Sequence, residues 1–98
     1  MTTPTSSWPF DQPPNCVALT TKHVLKEGYH ITHVYHDADD HGWQFHYSGE
    51  KKVSDAMVVA MKEIVRLDPS IQEVADLPPG WIATRAYRGA AWTRKENK

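Results

Sequence analysis

Ser54-Asp55-Ala56-Met57-Val58-Val59-Ala60-Met61-Lys62-Glu63-Ile64-Val65-Arg66-Leu67 is the stretch on which the fold turns. Met57, Ala60, Met61 and Ile64 fall at the spacing of one helical face, and Val58 and Val65 widen it. Asp55, Lys62 and Arg66 share the opposite face. The acid at the start and the two cations near the end suit a helix dipole. The pattern predicts one long helix over residues 54–67. Asp68-Pro69 ends it and caps a second, short helix, with Ile71, Val74 and Ala75 on its buried side.

Working outward, residues 31–36 hold Ile, Thr, Val and Tyr, which suit a strand. Residues 43–47 place Trp43, Phe45 and Tyr47 on one face and Gln44 and His46 on the other. The polar turn Asp37-Ala38-Asp39-Asp40-His41-Gly42 joins the two as an antiparallel hairpin. Before it, Cys16-Val17-Ala18-Leu19 is a short apolar run, followed by a short helix over 21–27 that Gly28 stops. After the central helix, Leu77-Pro78-Pro79-Gly80 breaks the chain, 81–87 alternates as a strand, Gly89-Ala90 turns and 91–94 returns. This order predicts an α+β fold: a mostly antiparallel sheet with one long helix and one or two short helices packed on a face.

A chain of 98 residues, 40% hydrophobic and 23% charged, has room for one domain with an ordinary core. That domain is expected over 15–95. Residues 1–14, rich in Pro, Ser and Thr, read as a poorly ordered lead-in. Trp8 and Phe10 are the two residues there that are able to dock on the domain, and the sequence leaves their docking open. No apolar run approaches the roughly 18 residues of a membrane span. The N-terminus lacks the basic start and apolar stretch of a signal peptide. The one cysteine excludes an intramolecular disulfide or a multi-thiolate zinc site. A cytoplasmic, cofactor-free protein is expected, with no membrane partner.

All six histidines lie between His23 and His46. Imidazole binds zinc, copper and nickel, so His36 and His46, facing each other across the hairpin, are the weak candidates for a metal site. Alternation along the strands limits how many rings converge, and a half-buried polar face is the plainer reading. Asp37, Asp39, His41 and Gly42 imitate the start of a calcium loop, but the twelfth position is Ser48 instead of a bidentate glutamate. Cys16 sits in an apolar run, where a lone thiol is usually inert core. No glycine-rich phosphate loop, zincin or nucleophile-elbow pattern occurs, so no enzyme activity is expected.

A net charge of −1 argues against broad attraction to nucleic acid. From Arg85 onward, however, the chain carries five basic residues and one acid, interleaved with Tyr87 and Trp92. A nucleic-acid surface there is one reading. Tryptophan and arginine also anchor protein interfaces, which needs fewer assumptions. The partner-binding candidates are therefore the acidic turn Asp37, Asp39 and Asp40, and the aromatic-basic strand pair around Arg85, Tyr87, Arg88 and Trp92.

Gly42-Trp43-Gln44-Phe45, Leu67-Asp68-Pro69-Ser70-Ile71 and Leu77-Pro78-Pro79-Gly80-Trp81-Ile82-Ala83-Thr84-Arg85 together resemble the immunity protein 33 family of small bacterial proteins. The resemblance spans about residues 16–94. It departs from the family at His41, where a serine often precedes the Gly-Trp pair. It implies a protein that neutralises a bacterial toxin, encoded by an adjacent gene, through stoichiometric binding, and it supplies no catalytic residue. Trp43 and Trp81, within the motifs, read as core. A metal- or nucleic-acid-binding module is the alternative.

Overall fold

The computed structural model describes residues 8–49 and 52–97. Strand β1 (Val17–Thr21) leads into helix α1 (Lys22–Glu27), then β2 (His33–His36) and β3 (Trp43–His46). A 3-10 turn (Val53–Asp55) precedes β4 (Ala56–Ala60) and α2 (Met61–Leu67), and a second 3-10 segment (Pro69–Val74) precedes β5 (Trp81–Thr84) and β6 (Thr93–Glu96). All six strands form one sheet in the order β4-β1-β3-β2-β5-β6. Only β1 and β3 run parallel; the other neighbours are antiparallel.

The expected long helix does not form. Its first half is the edge strand β4, and the helical remainder, α2, is seven residues long. Residues 56–61 are six consecutive apolar side chains, a run that satisfies both a helical and an extended period. Adjacent Val58 and Val59 lean toward the strand, because β-branched side chains lose rotamer freedom in a helix. What decides is β1, whose backbone pairs with β4 through all five residues, from Val17 opposite Ala60 to Thr21 opposite Ala56. The first donors of α2 are then satisfied without a side-chain cap. Met61 N donates to Cys16 O at 2.7 Å and Lys62 N to Pro14 O at 2.9 Å. The fold is thus a mixed α/β sheet with short helices and turns.

Met61 and Ile64 remain inward, fully buried, while Met57 is only half-buried as part of β4. They meet Ile71, Val74 and Leu77 against the face of the sheet that carries Ala18, Val34, Trp43, Phe45 and Ala83. Replacing Met61 by alanine is expected to cost about 3 kcal/mol, read as a shift in urea midpoint. A loss below about 1 kcal/mol would show that the site collapses around the smaller side chain.

The hairpin expected over 31–36 and 43–47 is β2–β3, with His33 opposite His46 and His36 opposite Trp43. The strand expected over 81–87 ends at Thr84, and the return starts at Thr93 and runs to Glu96. Arg85 keeps the inward side of the expected alternation, and its N still donates to Thr32 O at 3.0 Å just past the strand's end. Gly28 closes α1 in the left-handed conformation, φ 76°. From Trp8 onward the chain lies against the sheet. Phe10 is 6% exposed and meets Trp43 edge-on, with ring centres 5.0 Å apart. Residues 1–7 of the expected lead-in fall outside the described residues.

Candidate functional site

The β2–β3 turn is closed by Asp37 N donating to Gly42 O at 2.8 Å, with His41 in the left-handed region at φ 58°. Asp37 is half-buried, and its two carboxylate oxygens accept from Gln44 Nε2 at 3.2 and 3.0 Å. Asp40 Oδ1 accepts from Gly42 N at 2.8 Å, and Asp39 and Asp40 are exposed. Strand alternation carries Asp37 to the same face as Gln44, away from the core. Leu19 pairs with Gln44 on one side and Val58 on the other, so three strands lay one row of side chains across that face. Val17 and Val58 stand there 66% and 61% exposed. A groove of about 230 Å³ runs between this row and the turn, lined by Val17, Leu19, Asp37, Asp40, Gln44 and Val58 among others.

The second candidate patch divides in two. Arg85 is buried and fully committed. Its Nε donates to Ile31 O at 3.0 Å, Nη1 to Ser70 Oγ at 2.9 Å and Nη2 to Asp68 Oδ2 at 2.8 Å. Trp92 covers the guanidinium, 4.1 Å from its ring centre, and donates through Nε1 to Glu73 Oε1 at 3.0 Å. Arg85 therefore lies in the interior, with the partly buried Trp92 over it. Arg88, whose Nε lies 3.3 Å from Asp68 Oδ2, and Tyr87, 59% exposed, are the members that reach solvent.

Asp68, Ser70 and Glu73 complete this cluster and were not anticipated as its members. One signal was present: alternation from Trp81 puts Arg85 on the core face, where a guanidinium demands a carboxylate. Nothing in the spacing said which carboxylate answers.

His36 and His46 are not brought together. Cross-strand register sets His46 beside His33 on the open face and His36 beside Trp43 on the core face. His36 stacks on the Trp43 indole at 4.0 Å between ring centres, with Nδ1 2.6 Å from Leu77 O and Nε2 3.1 Å from Asp11 Oδ2. His46 Nε2 is 3.0 Å from Gln44 Oε1. Among the described residues no three His, Cys, Asp or Glu side chains converge as a metal site would need. Cys16 Sγ faces Gln12 Oε1 at 3.4 Å.

Two carboxyls are held below the ordinary range. Asp55 accepts a hydrogen bond from Lys52 N at 3.0 Å, which outweighs its desolvation, and Lys22 Nζ adds its charge at 3.5 Å. Asp76 is lowered by the hydrogen bond from Arg94 Nη1 at 2.7 Å. A carboxyl with a depressed folded value contributes stability above its unfolded value and loses it as pH falls through the folded one. Thermal stability is therefore expected to drop as pH goes below about 4, and Asp55→Asn to flatten that slope. An identical slope in the variant would show that other carboxylates set the acid limb.

Compared with family models, curated proteins and solved structures, the chain finds no match. Among the described residues, no helix is long and apolar enough to cross a membrane.

Proposed function

We propose that this chain is a non-catalytic bacterial protein of the cytoplasm that neutralises a toxin by stoichiometric protein–protein binding. The observation that supports it best is the open sheet face. Val17 and Val58 lie exposed beside a turn with three carboxylates, an apolar patch with a charged rim of the kind interfaces use. Tyr87 and Arg88, the latter tied to Asp68 at 3.3 Å, add a second exposed patch. The resemblance to the immunity protein 33 family supplies the class of partner, a toxin encoded by the adjacent gene.

The test is co-expression with the product of that gene. Growth is expected to be restored and a one-to-one complex to be recovered. For a basic partner, charge reversal at Asp39 and Asp40 slows association and weakens its salt dependence, because rim charges act mainly on encounter. If no neighbouring product is toxic, or the toxic one stays fully active with this protein present and folded, the proposal fails.

A further inference from the structure

We propose that the groove beside the β2–β3 turn receives the side chain of a lysine or arginine from the protein partner, an inference that rests on the protein-binding reading above. Asp11, Asp55, Asp68 and Asp76 each face a basic group at 3.1, 3.5, 2.8 and 2.7 Å. Asp37, Asp39 and Asp40 are the described aspartates with no such partner among the described residues. Two of the three line the groove. Their hydrogen bonds come from neutral donors, Gln44 Nε2 and Gly42 N, which fix the carboxylates in place and leave their charge uncancelled.

The rest of the groove has the opposite character. Val17 and Leu19 from β1 and Val58 from β4 make one apolar wall. Register places Val58, Leu19 and Gln44 in a single row, and the Gln44 amide reaches from it to the Asp37 carboxylate. The groove thus has an apolar wall on one side and two carboxylates on the other. A long alkyl stem ending in a cation matches both halves, with methylenes on the valines and leucine and the head group at the carboxylates. A cavity of about 230 Å³ admits one side chain, whereas a whole helix is roughly 10 Å across. A purely apolar residue would leave the carboxylates unanswered, and a compact cation would leave the wall uncovered.

The experiment is an amide NMR titration of the full chain with Nα-acetyl-lysine methylamide and Nα-acetyl-arginine methylamide. Nα-acetyl-norleucine methylamide, with a similar stem and no charge, is the control. Saturable shifts confined to Leu19, Gly42, Gln44 and their neighbours are expected, with Kd of about 1–10 mM. Norleucine should bind at least about tenfold more weakly, and Asp37→Asn combined with Asp40→Asn should weaken the cations about tenfold. Val58→Lys, at an exposed position that leaves the turn intact, should block the groove with a resident cation.

Scattered shifts, equal shifts with norleucine, or binding indifferent to these variants would overturn the proposal. So would concentration-dependent broadening without ligand that the Asp37→Asn, Asp40→Asn variant abolishes, which assigns the groove to a second copy of the chain. The two readings fail separately. If only the groove is wrong, the double variant still protects co-expressing cells as fully as the parent chain. If only the toxin reading is wrong, the titration succeeds while no neighbouring product is neutralised.

Discussion

Asp68→Ala is expected to destabilise the protein by about 4 kcal/mol, because it strands a buried guanidinium. The Arg85 side chain is 0% exposed and Asp68 is 1% exposed, with 2.8 Å between Nη2 and Oδ2. Removing the carboxylate leaves Arg85 with two neutral acceptors, Ile31 O and Ser70 Oγ, and no countercharge. The same substitution removes the cap that Asp68 Oδ1 provides to Ser70 N at 3.1 Å, at the start of the 3-10 segment. It also removes the ion pair of Arg88, whose backbone N keeps its hydrogen bond to His30 Nδ1 at 3.1 Å.

Replacing both partners, Asp68→Leu with Arg85→Met, should recover most of the loss, since the pair's net worth is small once its desolvation is counted. Urea unfolding followed by tryptophan fluorescence reads all three variants. A cost below about 1 kcal/mol for Asp68→Ala would mean that water reaches the guanidinium when the carboxylate leaves.

Trp43→Ala should be comparably damaging, about 4 kcal/mol, and should have a local signature as well. Trp43 carries the His36 ring on one side at 4.0 Å and the edge of Phe10 at 5.0 Å, and its Nε1 donates to Asp11 Oδ1 at 2.9 Å. Phe10 and Asp11 lose their seat together. Residues 8–12 should then be cut by protease at temperatures where the sheet is still folded. Trp43→Phe keeps most of the ring packing and loses the hydrogen bond, so about 1–2 kcal/mol is expected. If the alanine variant melts lower but residues 8–12 stay protected, the segment is held by other contacts, such as Gln12 Nε2 to His41 O at 3.1 Å.

Local chemistry was enough to read several parts of this protein from its sequence. Alternation over 43–47 and β-branched residues over 31–36 defined the hairpin, and its acidic turn fell where the two patterns meet. Met61 and Ile64 are inward because they remain on one helical face even when the helix begins seven residues later than its pattern allowed. Asp68-Pro69 ends α2 and Gly28 ends α1, each through a backbone constraint carried by the residue itself.

Other features were settled only by chain segments meeting. The run 56–61 fits a strand or a helix by composition, and β1 made 56–60 a strand by offering an unpaired backbone edge. Likewise, the parallel contact of β1 with β3 is a pairing that no local pattern encodes. It sets Leu19 beside Gln44 and so builds the groove out of β1, the hairpin and β4. His36 and His46 parted because a strand's period of two sends positions three apart to opposite faces: His46 lies opposite His33, and His36 is three residues further along. Arg85, read as an interface residue, became a buried anchor once Asp68 arrived beneath it. Residue type and spacing determine what a short segment is able to form. Which of two satisfiable structures it adopts depends on where its backbone donors and charges find partners, and here those partners lie on distant strands.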